Sequence, residues 1–389
     1  MSDLQFKSSP QFSLGMEIEL QLLDPETLQL VDGILPLLEL KPQNPFIQAE
    51  FNQATVEINS PVCLNIPELE IHILEIIRDL KSRCQKLGLE ICAAGTHPYC
   101  DRIANITPIS RYLNQQSTFG YLADLMMTFA LQIHVGMPSG DEAIKMMSRL
   151  KPYLPILLAL SASSPFWWGK NTGFASFRYR FLSIMRSYCI CPKFKNWAEF
   201  SQFFTTAKNA GMLKTIHDIH WDIRPQPDLG TIEIRIMDAQ PTIQESMMLA
   251  ALIHTLIIHL YHHPVGKKTD FILKPLPWLI EKENLFRASW HGIEAYYIED
   301  SQGNSRPIKN IVEDIINTLT ATAKYLGNQP YLEQLEKRLK TGASHIRQTQ
   351  IFQNTNSLKA VIQSLVKELE AELINTEINP KNPPNLISL

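Results

Sequence analysis

The feature that most constrains this chain is an alternation that recurs in five separated segments. In SLGMEIELQLL, from Ser13, the polar Glu17, Glu19 and Gln21 alternate with the apolar Met16, Ile18, Leu20 and Leu22. A period of two is a β-strand with one buried and one polar face. It sets two like charges side by side, about 7 Å apart. The same grammar puts Glu57 between Val56 and Ile58, and sets Gln132, His134 and Gly136 against Ile133, Val135 and Met137. It sets His220, Asp222 and Arg224 against Ile219, Trp221 and Ile223, and Thr231, Glu233 and Arg235 against Ile232, Ile234 and Ile236. A solvated sheet face ordinarily carries Lys, Thr, Ser and Gln beside Glu. These faces are short of Lys and rich in Glu, His and Arg.

Between the strands the punctuation is clear. Asp24-Pro25 suits the first two positions of a type I turn, so residues 14–32 read as a β-hairpin. Pro67 opens a helix with Leu69, Ile73, Ile76, Ile77 and Leu80 on one stripe, and Gly88 ends it. LEICAAGTHP reads as a buried strand running into a turn, with Thr96 and His97 supporting the sheet. Residues 111–129 read as helix, Ser139 to Leu150 as a helix capped by SGDE, and the apolar run after Pro152 as a helix reaching Pro165. GKNTGFASFRYRF is a basic, aromatic loop leading into an ordered segment. From Ile243 the chain reads as helical apart from a Pro-rich break at 273–277, and the tail after Asn379 as irregular. Hairpins and unequal loops without regular βαβ alternation predict an α+β fold with an antiparallel sheet. No repeat or linker divides the chain. The expectation is one domain over 1–389, a motif-bearing core at 13–300 with a helical region at 308–379 packed on it. The apolar spacing of IVEDIINTLTATAKYL fits that packing; a homodimer contact is the other reading.

The bulk numbers exclude several classes. The chain has 389 residues, 36 basic against 39 acidic, with no basic run beyond the Lys267-Lys268 pair, which reads as a solvated loop; nothing marks a nucleic-acid partner. Six cysteines without a C-x-x-C pair make neither a disulfide scaffold nor a zinc site, and point to reduced thiols in a cytoplasm. The N-terminus MSDLQFKSSPQ lacks the apolar core of a signal peptide. MMLAALIHTLIIHLY, interrupted by His254 and His259, reads as too short and too polar to span a membrane.

Each polar strand face taken alone is a half-exposed strand, a packed histidine or a cross-strand ion pair. Gathered in one sheet, they bring several carboxylates onto one surface. Like charges that close repel unless a cation lies between them. Arg224 and Arg235 supply part of that charge, and a divalent metal would supply more. Hard oxygen ligands favour magnesium or manganese over zinc, and magnesium on carboxylates usually carries a phosphate substrate. Arginines beside it would stabilise a transferring phosphoryl group.

Seven segments then occur in order: GMEIELQLLDPET, ATVEINSPVC, AAGTHP, HVGMP, LLALSASSPFWWGKNTGFASFRYR, WDIRPQPDLGTIEIRIMDAQPT and ENLFRASWHG. Together, over roughly residues 13–295, they resemble the carboxylate–amine ligase family, also called the second glutamate–cysteine ligase family. The resemblance implies a fold similar to the catalytic domain of glutamine synthetase, a curved antiparallel sheet whose concave face holds ATP and Mg2+, backed by helices. It implies a reaction in which ATP phosphorylates the γ-carboxylate of glutamate or a related acid. An amine such as cysteine then displaces phosphate. It implies metal-holding roles for Glu17, Glu19, Glu57, His134 and Glu233, with Mn2+ as the alternative ion. Arg235 would face the γ-phosphate or acyl phosphate, and Arg178 and Arg180 would bind a substrate carboxylate or phosphate. Catalysis would then rest on Arg235, Glu57 and Arg178, and nucleotide binding on Glu17, Arg180, Arg224 and Arg235.

The family's His strand often reads H-x-H-V-G; here its first position is Gln132. Cys189 and Cys191 have no place in the pattern. A phosphotransferase on the same scaffold is the competing enzyme, and a non-catalytic ligand sensor the competing class. The full set Glu17, Glu19, Glu57, His134, Glu233 and Arg235 speaks against the sensor.

Overall fold

The structure is a computed structural model that describes residues 4–100, 102–263 and 271–375. The Lys267-Lys268 pair, the tail after Asn379 and the last residues of the 308–379 region lie outside the described residues. Seven strands build the central sheet: β1 (Leu14–Leu23), β2 (Ile47–Ala49), β3 (Thr55–Asn59), β4 (Glu90–Cys92), β5 (Ala130–Gly136), β6 (Ile223–Gln226) and β7 (Thr231–Asp238). Their order is β6-β7-β5-β1-β3-β2, with β4 pairing the far end of β1. Every pairing in this sheet is antiparallel.

One face is apolar and closed. Met16, Ile18, Leu20, Val56, Ile58, Ile133, Val135, Ile232 and Ile234 are all buried in a single hydrophobic cluster. Helices Ile66–Lys86, Gly140–Leu150 and Ile243–His262 pack on this side. The first starts where Asn65 accepts a hydrogen bond from the Glu68 amide, and its predicted stripe is buried. The second is capped by Ser139 as expected. The third has 20 residues, all buried except Gln244, Tyr261 and His262. The expectation that this stretch is too short and polar for a membrane needs correction: by length and composition it would suffice. Burial inside the protein accounts for its apolar character.

The C-terminal helices Ile308–Leu326, Gln329–Thr341, Ser344–Thr355 and Leu358–Asn375 follow as expected. Ile315, Leu335, Ile362 and Leu369 join the same cluster as Leu14. A two-stranded ribbon, Tyr296–Ile298 with Ser305–Pro307, interrupts the expected helical stretch.

Other departures have local causes. The return arm of the 14–32 hairpin reduces to one bridge, Leu23 to Leu30. Asp24 closes the chain instead, its carboxylate accepting from the Glu26 and Thr27 amides and the Thr27 hydroxyl. The expected 111–129 helix splits into Ser110–Phe119 and Tyr121–Asp124 at Gly120, whose φ of 55° suits glycine. The apolar helix after Pro152 stops at Ser161, short of Pro165. The segment DIHWDIRP is two pieces. His220–Trp221 pairs in parallel with Tyr188–Cys189, and only from Ile223 does the chain join the sheet.

Asp238, at the end of β7 and fully buried, ties the sheet to the segments above it. It accepts from the Ser163 amide at 2.9 Å and from the Ser164 and Ser176 hydroxyls at 2.7 and 2.9 Å. Ser176 precedes the helix Phe177–Leu182, which carries Arg178. Gly95 lies against this knot: a Cβ there would stand 2.5 Å from the Asp238 carboxyl carbon. Gly95→Ala is therefore expected to destabilise the protein by about 1–3 kcal/mol, measured by urea unfolding. An unchanged midpoint would show that the knot yields.

Candidate active site

The opposite sheet face carries the polar residues in register. Glu19 pairs directly with Glu57, and Glu57 with Gln48. Glu17 lies between Asn59 and Gln132. His134 pairs with Glu233, and Glu233 with Arg224. A shift in the β5–β7 ladder after Ile234 brings Arg235 over to Gln132, to which its guanidinium donates. Strand pairing thus gathers Glu17, Glu19, Glu57, His134, Glu233, Arg224 and Arg235 on one surface.

Above this face is a cavity of about 450 Å³, lined by Glu17, Glu19, Glu57, Gln132, Arg224 and Arg235 from the sheet. Glu50, Asn52, Arg111, Tyr112, Arg178, Tyr188 and His220 are among the other residues that line it. Glu50 accepts a hydrogen bond from the Tyr112 hydroxyl at 2.8 Å. The sequence reading missed it. Its signal is faint: a carboxylate just after β2, the strand that pairs Gln48 with Glu57. Tyr112 and Tyr188 come from outside the sheet, and no periodicity marks them.

The electrostatics divide the cavity. At one end burial and then Glu17, Glu50 and Glu19 push the Glu57 carboxyl well above the usual carboxylate range. Burial, reinforced by Glu50, pushes Glu19 up to about 7. Glu19 accepts from the Ala130 amide at 2.7 Å and the Gln132 amide at 3.1 Å. At the other end Glu233, wholly buried, is held well below the usual range: Arg224 and Arg235 outweigh burial. It accepts from Arg224 at 2.7 and 3.2 Å and from Arg235. Between the ends His134 shares a hydrogen bond with Glu17 at 3.0 Å and another with Thr231 at 3.0 Å. Burial alone would lower its pKa, but Glu233 and Glu17 raise it.

Glu17, His134 and Glu233 each bring one ligand atom within 4.8 Å of the others. Glu17 is the freest of the three, since both Glu233 oxygens face guanidinium groups. The donor set, carboxylates with one imidazole, suits a hard divalent ion.

Arg178 lines the cavity, its guanidinium anchored on the Ile236 and Arg235 carbonyls at 3.2 and 3.3 Å. Arg180 is not brought there. It lies over Phe286, 5.2 Å from the ring centroid, and is absent from the cavity wall. The reason is helical geometry: residues two apart point about 200° from each other. Arg224 reaches the cavity with its N–H groups committed to Glu233 and to the Ile219 and His217 carbonyls. Asp222, expected on the same face as His220 and Arg224, turns away from the cavity and accepts from the Tyr179 hydroxyl. His97 shares a hydrogen bond with the Leu28 carbonyl, and Thr96 donates to that of Phe166; both are buried braces.

The antiparallel sheet and the helices behind it form a fold shared with ligases of known structure. The fold superposes on a bifunctional glutathione synthetase from Pasteurella multocida with a TM-score of 0.67 at 14% identity, covering 94% of this chain and 53% of that longer one. It superposes on a glutamate–cysteine ligase from Francisella tularensis, solved in complex with AMP, with a TM-score of 0.62 at 12% identity over 96% and 97% of the two chains.

The chain belongs to glutamate–cysteine ligase family 2, whose sequence profile matches residues 13–367. A Trichormus variabilis protein named "Putative glutamate--cysteine ligase 2" is 71% identical over 373 residues, 96% of each chain. A Bdellovibrio bacteriovorus protein of the same name is 35% identical over 95% of this chain and 98% of its own.

The raised carboxyls give a signed pH prediction. A carboxyl whose folded pKa exceeds its unfolded value favours the folded state while protonated, so stability falls as pH rises through that interval. For Glu19 the interval runs from 4.5 to about 7, and Glu57 acts in the same direction. Without divalent cations, urea unfolding should show stability declining from about pH 4.5 to about pH 7. Glu57→Gln should flatten the decline, and added MgCl2 should raise the midpoint more at the alkaline end. A midpoint indifferent to both pH and MgCl2 would contradict the carboxylate cluster.

Proposed function

We propose that this protein is an ATP-dependent carboxylate–amine ligase that joins glutamate, or a related acid, to cysteine or another amine through an acyl phosphate. The observation that carries the reading is the direct pairing of Glu19 with Glu57, beside Glu17 and Glu50, in one cavity with Arg235. Such a cluster is costly in a folded protein unless a cation relieves it.

Glu17, Glu19, Glu57, His134 and Glu233 would hold metal ions, Mg2+ with Mn2+ as the alternative, Glu17 being the freest of the Glu17, His134 and Glu233 group. When bound, the ion would neutralise the nucleotide phosphates and orient the transferring group. The rest falls to the chain's own groups. A carboxylate is a poor electrophile, and phosphorylation supplies the leaving group that amide formation needs. Phosphoryl transfer needs positioned cations more than covalent help. Arg235, with one nitrogen committed to Glu233 and Gln132, keeps its remaining N–H groups for the phosphoryl oxygens. Arg224 fixes Glu233 and thereby the pose of Arg235. Arg178, held by two carbonyls, presents a guanidinium suited to a carboxylate. Arg180, over Phe286, has no part in this arrangement. Six free cysteines accord with a reducing cytoplasm.

ADP release should require glutamate and an amine together, with cysteine the first acceptor to screen. Release that ignores the amine would favour the phosphotransferase; no release with any acceptor would favour the sensor. Glu17→Gln, which removes charge and little volume, should lower turnover on the order of 100-fold or more while the protein stays folded by circular dichroism. Unchanged turnover would count against the site.

A further inference from the structure

We propose that Asp222 is the proton acceptor for the amine substrate, in a niche beside the main cavity that seats the reacting ammonium group. The inference rests on the ligase reading above and adds a residue and a subsite to it. The niche measures about 30 Å³ and is lined by Arg178, Tyr179, Cys189, His220, Asp222 and Arg235 among others. Arg178, His220 and Arg235 also line the main cavity, so the niche shares a wall with the place where an acyl phosphate would form. Its volume is about that of one water molecule in the liquid, which is also the size of an ammonium group.

The break in DIHWDIRP puts Asp222 there. Its amide donates to the Cys189 carbonyl at 2.9 Å and its carbonyl accepts from the Arg235 amide at 2.8 Å. The backbone is therefore fixed between the short ribbon and β7. Among the described residues the side chain, 5% exposed, receives one hydrogen bond, from the Tyr179 hydroxyl at 3.3 Å. Among the described residues no ion pair reaches it within 4 Å. Arg178 and Lys151 act on this carboxylate only through space, its one hydrogen-bond donor among the described residues is neutral, and a substrate ammonium would supply the direct ion pair it does not have.

The groups facing it are Arg178 and Tyr179 from the helix Phe177–Leu182, Lys151 from the turn before Leu154, Cys189 from the ribbon, and His220 and Arg235. Burial pushes the Asp222 carboxyl up to about 7, against the lowering influence of Tyr179, Arg178 and Lys151. A base of that strength matches work near neutral pH. His220, stacked on Tyr188 at 4.5 Å, is held well below the usual histidine range by burial and then Arg235, Arg224 and Arg111, which makes it the weaker acceptor.

The step balances as follows. An Asp222 oxygen takes one proton from the ammonium, freeing the nitrogen lone pair. That pair attacks the acyl carbon; the C–N bond forms and the C–O bond to phosphate breaks with its electrons leaving on phosphate. A second N–H proton goes to the departing phosphate, and Asp222 returns its proton to solvent.

The test compares two acceptors with ATP, glutamate and MgCl2. Cysteine arrives largely as an ammonium near neutral pH and needs a base; hydroxylamine is largely neutral there and does not. Asp222→Asn should lower cysteine-dependent turnover on the order of 10²–10⁴-fold and hydroxylamine-dependent hydroxamate formation less than about tenfold. In the variant the acid limb of kcat/KM for cysteine should move from near neutral pH to the higher pH at which the amine itself loses its proton. Equal losses with both acceptors, or no loss with cysteine, would overturn the proposal. Should Asp222→Asn fail to fold, Tyr179→Phe decides: removing the hydrogen bond that favours the carboxylate should move the acid limb to higher pH for cysteine only. An unmoved limb would again overturn it. A wild type that forms neither product would sink the ligase reading itself.

Discussion

The interaction on which the functional face depends is an unfavourable one. In the β1–β3 ladder Glu19 stands directly opposite Glu57, and like charges in that position repel. The pairing persists because the other face of the same strands is fully committed. Met16, Ile18, Val56 and Ile58 are buried against helices, and a slip of one residue would expose all of them. Hydrophobic burial fixes the register, and the register holds the carboxylates together. Repulsion is stored where a cation can relieve it.

The arginine end shows the reverse arrangement. Glu233 is completely buried yet stays ionised because Arg224 and Arg235 flank it. This carboxylate sets the pose of the guanidinium facing the cavity. Gln132 joins the two ends: its carbonyl oxygen accepts from Arg235 while its NH2 group donates to Glu19. Gln132 is therefore the link of the polar network, and a neutral amide can make both bonds without changing protonation state.

Much of this was legible in the sequence. The strands β1, β3, β5 and β7 follow from alternation, and the helix Ile66–Lys86 follows from its stripe and its proline. Eight of the nine side chains expected at a site converge on one sheet face or its cavity; Arg180 does not, because helical rotation carries it away from Arg178. What escaped had no period to betray it. Glu50 sits just beyond a three-residue strand, and Tyr112 comes from a helix that no motif marked as functional. Asp222 was assigned to the wrong face because alternation was carried through a break that only pairing with the Tyr188–Cys189 ribbon creates.

The sequence by itself determined which strand faces are apolar, and hence that Glu17, Glu19, Glu57, His134, Glu233 and Arg235 would each point away from the core. That information is local, because side-chain direction in a strand is set by the residue's parity. Tertiary structure alone decided which of these faces become neighbours. Strand order β6-β7-β5-β1-β3-β2 joins residues more than two hundred positions apart, and the bulge after Ile234 moves Arg235 to Gln132. Those choices depend on hydrogen-bonded ladders and on helices packing behind them, which no window along the chain contains.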